Sequence, residues 1–367
     1  MTPGRIRSLD AFRGLTVAAM IVVNNPGSWS YIYPTLAHAE WHGWTPTDLI
    51  FPFFLFIVGV SLVVAFARRE AAGATPAALT RKALGRGALI VLAGLLLSGF
   101  PRYDLAHLRI PGVLQRIGVV YAVTALAFLH FGPRQRRWIA GALLVGYWLL
   151  LTWVAPPGGV AGDLSRDGNL GAWLDRLLLG GHLWTPTFDP EGLLSTLPAV
   201  ATCLLGTFAG ERLLGDRPPG DRATGLLLTG AALVVAGLIW DAWFPINKGL
   251  WTSSYVLFTG GLAFQALAAC YWAVDVRGRD RWAHPAYVLG TNALFAFTFS
   301  GLVARCLGLW RVAGPEGPVP VRDWLFTAWL APLGDPRVGS LLYALTNLLL
   351  VLLVTGVLYR RRWFLRL

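Results

Sequence analysis

Ile50-Phe51-Pro52-Phe53-Phe54-Leu55-Phe56-Ile57-Val58-Gly59-Val60-Ser61-Leu62-Val63-Val64-Ala65-Phe66 is a run without a single charge. With the four residues before it, it gives an apolar span over 46–66. About twenty apolar residues at ~1.5 Å each match the hydrocarbon thickness of a bilayer. Outward from this stretch, similar runs predict further spanning helices at 9–25, 84–100, 112–131, 138–155, 194–210, 223–243, 253–274, 286–307 and 339–359. The chain is 55% hydrophobic and only 14% charged. The fold class that follows is all-α: a polytopic integral membrane bundle of about ten transmembrane helices. No low-complexity linker divides it, so residues 1–367 read as one domain.

The charges set orientation. Most of the 31 Lys and Arg residues fall in the N-terminus, the 67–86 loop, 134–137, 212–222, 277–281 and 360–366. Short cytoplasmic loops collect such residues, which makes both termini cytoplasmic. The net charge of +12 is then topology rather than a basic soluble domain, and no nucleic-acid partner is expected. The first apolar run lacks a cleavage site and leads into a second span, so it stays as a helix. Cys203, Cys270 and Cys306 fall inside spans and imply no disulfide framework. The stretch 322–330 is too short to span and reads as a surface helix. The loops 26–45 and 156–193 are long and lie outside. In the second, Asp189-Pro190-Glu191-Gly192 carries a helix-start signal: Asp as N-cap, Pro at the first position.

Between the first two spans lies Ala37-His38-Ala39-Glu40-Trp41-His42-Gly43-Trp44-Thr45-Pro46-Thr47-Asp48. His38 at a membrane surface beside an acid suggests chemistry, with Asp48 accepting a hydrogen bond that fixes the imidazole tautomer. Asp48 also fits the third position of a capping box opened by Thr45. Pro52 has no N–H, so the backbone carbonyl of Asp48 needs another partner. His38 and His42 lack the order of a zinc-protease motif, and no metal is expected.

Ionisable and amide groups near spans are costly and mark function. Asp10 and Arg13 stand one turn apart, with Ser8 able to cap their helix. Asn24 and Asn25 end the same helix, as caps or as site residues. Gln115 and Arg116 fall within the 112–131 span, where an Arg is either paired internally or binds an anion. Asn247-Lys248-Gly249-Leu250-Trp251-Thr252-Ser253-Ser254-Tyr255 opens a later span, and Lys248 is one of only two lysines in an arginine-rich chain. The aromatic residues of the outside loops suit an interfacial belt or a sugar-stacking surface.

Five blocks, in order, carry a resemblance. They are Ser8-Leu9-Asp10-Ala11-Phe12-Arg13-Gly14; His38-Ala39-Glu40-Trp41-His42-Gly43 running to Asp48-Leu49-Ile50-Phe51-Pro52; Arg109-Ile110-Pro111-Gly112-Val113-Leu114-Gln115-Arg116; Asp189-Pro190-Glu191-Gly192; and Asn247-Lys248-Gly249-Leu250-Trp251. Together they resemble the heparan-α-glucosaminide N-acetyltransferase family in its bare bacterial form. The resemblance implies a multi-pass acetyltransferase of the cell inner (plasma) membrane. Acetyl-CoA would be taken from the cytoplasmic side and the acetyl group passed to an amino-sugar acceptor beyond the bilayer. It places the catalytic histidine at His38 and the neighbouring asparagine at Asn24, with Asp48 as their acid. Donor-binding positions are then Asp10, Arg13, Gln115, Arg116, Asn247, Lys248, Trp251 and Tyr255, and acceptor-binding positions Glu40, Trp41, His42 and Glu191. The chain has Asn25-Pro26-Gly27-Ser28 where the family has a Gly-rich turn, and His42 where it has Asn, differences that bear on acceptor choice. His38 could act as general base or as a transient acetyl carrier. Small-residue spans would suit a homodimer. The competing reading is a secondary transporter of a sugar or small anion, using Arg116 and the Asp10/Arg13 pair.

Overall fold

The apolar runs fold as helices, because a bilayer leaves the backbone no partners but its own. The computed structural model describes residues 6–314 and 317–364. The start of the basic N-terminus and the end of the 360–366 stretch, Arg366 included, lie outside these residues. The elements are α1 (Arg7–Asn24), α2 (Ile50–Ala71), α3 (Pro76–Gly99), α4 (Val113–His130), α5 (Pro133–Trp153), α6 (Leu170–Leu179), α7 (Thr196–Leu214), α8 (Pro219–Asp241), α9 (Ser253–Tyr271), α10 (His284–Thr291), α11 (Ala293–Leu309), β1 (Arg311–Gly314), β2 (Gly317–Pro320), α12 (Val321–Leu325) and α13 (Pro336–Arg360).

Among the described residues, seven helices are long and apolar enough to cross a membrane: α2 with its leading turn, α3, α4, α7, α8, α9 and α13. The pair α10 and α11, bent by 73°, would bring the number to eight as one broken span. Sequence reading expected about ten. The other two expected spans are helical too, but α1 carries Arg7, Asp10 and Arg13 within its 18 residues, and α5 opens on Arg134, Arg136 and Arg137.

Three features depart from expectation. The helix expected from Asp189-Pro190 begins at Thr196 instead, because the Asp189 carboxylate is drawn to Arg109. The 156–193 loop contains α6, capped by the Asn169 side chain on Ala172 N. Ser8 does not cap α1. Asp275, from the turn after α9, takes Arg7 N at 3.2 Å and Ser8 N at 3.0 Å and supplies the negative charge a helix N-terminus favours.

Close helix crossings are made where glycines face each other. A Cβ on Gly59 of α2 would sit 2.0 Å from the Cys203 carbonyl oxygen, and one on Gly206 of α7 2.0 Å from that of Phe56. Gly87 with Gly118 does the same for α3 and α4, and Gly230 with Gly261 for α8 and α9. Backbones meeting at this range gain dispersion contacts in place of a hydrophobic driving force, which lipid does not provide. These crossings fix which helix ends lie together. The starts of α2, α7 and α9 meet at one end of the bundle, where Tyr255 donates to the Asp48 carbonyl. At the other end, Arg7 pairs with Asp280, Arg136 with Glu211, and Arg222 donates to the Leu213 carbonyl.

Candidate functional site

The loop after α1 reaches α2 through one buried carboxylate. Asp48 is 1% exposed. Its Oδ2 accepts from Ala39 N at 3.0 Å, Thr45 N at 3.0 Å and Thr45 Oγ1 at 3.2 Å. Asp48 N in turn donates to the Thr45 carbonyl, and Thr45 Oγ1 lies 2.6 Å from the Ala37 carbonyl. The Asp48 half of the capping box, its carboxylate on Thr45 N, is thus formed and clamps the strand of loop that carries His38. The Asp48 carbonyl released by Pro52 is taken by the Tyr255 hydroxyl at 2.5 Å.

The remaining carboxylate oxygen, Asp48 Oδ1, accepts from His38 Nδ1 at 2.6 Å. The His38 side chain is 45% exposed, so one ring edge is anchored and the ring stays accessible from the loop surface. Lys248 Nζ lies 2.9 Å from His38 Nδ1, 3.2 Å from Nε2 and 3.4 Å from Asp48 Oδ1. With Nδ1 donating to Asp48, the lone pair available to the ammonium is on Nε2. Burial pushes Lys248 below the usual lysine range, against the pull of Asp48 and Glu191.

A tight turn presents Lys248. Asn247 is fully buried; its Oδ1 accepts from Leu250 N at 2.8 Å and its N–H donates to Thr252 Oγ1 at 3.0 Å. Trp251 adopts φ 54°, a left-handed conformation that a bulky residue holds only when its surroundings compel it. The compulsion is visible: its Nε1 donates to Thr202 Oγ1 at 3.1 Å, and its ring meets Phe51, Tyr255 and the Arg116 guanidinium, the last at 5.1 Å.

Arg116, 2% exposed, lies beneath this turn. One terminal nitrogen donates to Gly192 O at 3.1 Å and to Ser195 Oγ. Nearby, Arg109 grips Asp189 with Nε at 2.8 Å and Nη2 at 2.7 Å, and reaches Glu191 Oε2 at 2.5 Å. Asp175 of α6 accepts from Leu193 N at 2.8 Å. Burial pushes its carboxyl up to about 6, with Asp189 adding to the rise.

The structure therefore brings His38, Asp48 and Lys248 into direct contact. Asn247 joins them through its sequence neighbour and through His42, whose Nδ1 accepts from Asn247 Nδ2 at 3.4 Å. Trp251 and Tyr255, expected at the donor, are at most 1% exposed and pack under the site instead of lining it. Glu191, expected at the acceptor, is engaged by Arg109. Trp41 donates to the Leu164 carbonyl at 2.8 Å and packs on Phe188, binding the two outside loops together. Glu40 and Asn24 are exposed, and Asn25 is the buried member of its pair, bonded to Ser300 Oγ at 3.1 Å. Gln115 turns toward α3, 3.4 Å from Ser98 Oγ. Asp10 and Arg13 do pair, at 3.2 Å, and Arg13 continues to Ser61 Oγ at 2.7 Å and Gly290 O at 3.1 Å, joining α1 to α2 and α10. Sequence reading missed Ser195, Thr202 and Tyr147, which hold Arg116, Trp251 and the Leu250 carbonyl. Isolated hydroxyls in apolar runs are the weak signal they left.

Fold and site define a multi-pass helical membrane protein that holds an imidazole–carboxylate pair and an ammonium at one end of its bundle. The profile described as heparan-alpha-glucosaminide N-acetyltransferase, catalytic, matches residues 5–237, and the chain belongs to that family. It is 32% identical over 356 residues to heparan-alpha-glucosaminide N-acetyltransferase of Homo sapiens, covering 80% of this chain and 52% of the relative. The Mus musculus protein of the same name is 32% identical over 354 residues, covering 80% and 53%. The chain spans about half the length of these curated relatives.

Proposed function

We propose that this protein is a transmembrane acetyltransferase that takes acetyl-CoA on the cytoplasmic side and acetylates an amino sugar of glucosamine type on the other side. In this reading α1, α5 and the broken pair α10–α11 complete ten passes. Both termini face the cytoplasm, and the membrane is the plasma membrane. The observation that carries the proposal is the His38 geometry: Nδ1 is committed to a buried carboxylate, the side chain is 45% exposed, and among the described residues only the mobile Lys248 ammonium faces Nε2. The match to named acetyltransferases supplies the reaction class.

The chemistry follows from that geometry. The uncharged acceptor amine attacks the thioester carbonyl carbon while His38 Nε2 takes its proton, and the Asp48 carboxylate stabilises the imidazolium as it forms. As the amine approaches, Lys248 moves from Nε2 toward Asp48 Oδ1 and turns its positive charge to the oxyanion. Collapse breaks the C–S bond, and the imidazolium proton passes to the departing thiolate. The arginines at the far end of the bundle suit the phosphates of CoA, and Arg116 and Gln115 stand partway along α4.

The test is sided transfer. Protein in sealed proteoliposomes, given radiolabelled acetyl-CoA on one face and glucosamine on the other, should yield N-acetylglucosamine. His38→Ala should lose about a thousand-fold or more in rate while still binding CoA. Normal turnover by that variant, or label in glucosamine only when both substrates share a compartment, overturns the proposal.

A further inference from the structure

At the end of the bundle away from His38, the first turns of α10 and the last two turns of α13 leave a groove of about 850 Å³ between them. Its wall is apolar, formed by Val288, Leu352, Leu353 and Val357. Its rim is basic, carrying Arg360, Arg362 and His284. We propose that this groove binds an anionic phospholipid, its phosphate between Arg360 and Arg362 and one acyl chain along Leu353 and Val357.

Three observations converge on an amphiphile with a negative head. First, α13 is a candidate span of mean hydropathy 2.3, and Leu353 is 61% and Val357 53% exposed on it. In a spanning helix, that exposure means contact with lipid tails. Tyr359 and the exposed Trp363 follow within a turn or two, the residue types that settle at the headgroup layer. The groove therefore crosses from hydrocarbon to interface. Second, among the described residues no carboxylate lines the groove, and none pairs with Arg360 or Arg362. A zwitterionic head would bring its own cation into this unbalanced positive field. Third, the arginines do not ride on a loose tail. Arg362 N donates to the Tyr359 carbonyl at 3.0 Å, Trp363 N to Leu358 O at 2.9 Å, and Asn292 Nδ2 to Trp363 O at 3.2 Å. The last bond ties the folded-back tail to the break between α10 and α11, so the rim is organised before a ligand arrives, which lowers the entropic cost of binding. Basic pockets between spanning helices near the cytoplasmic face favour anionic headgroups for these reasons.

The site is separate from the His38 cluster, and its test does not depend on acetyl transfer. Full-length protein is reconstituted into nanodiscs of mixed phosphatidylglycerol and phosphatidylcholine, extracted, and its retained lipid counted by native mass spectrometry. Each arginine near the surface is worth about a five-fold preference, so the wild type should retain phosphatidylglycerol about thirty-fold over phosphatidylcholine. The double variant Arg360→Gln/Arg362→Gln should lose that preference, and Arg360→Lys/Arg362→Lys should keep most of it, each with unchanged helical circular dichroism. Equal retention of the two lipids by the wild type overturns the proposal, as does undiminished preference in the glutamine variant. Displacement of the lipid by millimolar inorganic phosphate or by CoA also overturns it, since the apolar wall would then contribute nothing. Should the glutamine pair fail to fold, Val357→Asn must weaken phosphatidylglycerol retention without removing a charge.

Discussion

At the site end of the bundle two buried carboxylates each hold a nitrogen-bearing side chain. Asp48 takes His38 Nδ1 at 2.6 Å, and Asp189 takes Arg109 Nε and Nη2 at 2.8 and 2.7 Å. Each also caps local backbone: Asp48 accepts from Ala39 N and Thr45 N, and Asp189 from Trp184 N and Glu191 N. The difference lies in what the partner has left over. A guanidinium held in a two-pronged bond keeps its proton at any accessible pH and offers no lone pair, so the Arg109 pair can only fasten the segment leading into α4 to the 184–191 loop. An imidazole held at one nitrogen presents the other as acceptor or donor. The same buried acid thus makes a staple in one place and, in the proposed reaction, holds the base in the other.

The same substitution at both acids separates the two roles. Asp48→Asn should have the larger effect, and it should fall on turnover. The amide oxygen can replace Oδ2 toward Ala39 N and Thr45 N, which puts the amide NH₂ against His38 Nδ1. The ring must then adopt the other tautomer, with Nε2 protonated and unable to accept. A rate loss of about 10²–10⁴ is expected, with the melting temperature nearly unmoved. A stability loss with intact turnover per folded molecule would reverse the assignment. Asp189→Asn should do what Asp48→Asn does not. It unpairs one prong of the Arg109 fork and turns a donor toward it, at a cost of about 3 kcal/mol seen in thermal unfolding. Turnover per folded molecule should stay within a few-fold.

The sequence carried the first of these carboxylates further than the second. The Thr45–Asp48 capping box is a local pattern, and the apolar run behind it places it at a membrane surface. The need for a partner on the Asp48 carbonyl follows from Pro52 alone. That the partner is Tyr255, 207 residues away, depends on how α2 crosses α9, which periodicity does not encode. Asp189 misled for a related reason. Asp-Pro is a sound helix start in isolation, but a free carboxylate prefers a guanidinium to backbone N–H groups when the fold supplies one. The α10–α11 break at Asn292 and the short α6 were hidden because each lies within a stretch whose overall composition fits one longer span or one longer loop.

A third test concerns the buried Asp175 carboxylate of α6, near the Arg109 staple. Asp175 titrates at about 6 in the fold, above the ordinary 3.8 of an unfolded aspartate. The folded state therefore holds that proton more tightly. Its contribution to stability is complete below pH 3.8 and is lost as pH climbs through about 6. Wild-type protein should lose about 2 kcal/mol between pH 4 and pH 8 from this group. Asp175→Asn, whose amide oxygen still accepts from Leu193 N, should flatten that part of the profile. An unchanged pH profile in the variant would mean that the carboxylate is better solvated than its burial indicates.

The smallest effect probes the link between the buried core and the base. Tyr255→Phe removes one hydroxyl and leaves the Asp48 carbonyl without its partner, since Pro52 cannot supply an N–H. An unpaired buried carbonyl costs about 1 kcal/mol, so a modest drop in melting temperature is expected. The more telling readout is kinetic. If the hydroxyl fixes where the Asp48 backbone sits, its loss lets the carboxylate drift relative to His38. Turnover should fall a few-fold while the KM for acetyl-CoA holds, because the ring is completely buried. A rise in KM with unchanged turnover would place Tyr255 at the donor site, as the family resemblance first implied, and would mean that the core around Trp251 opens when acetyl-CoA binds.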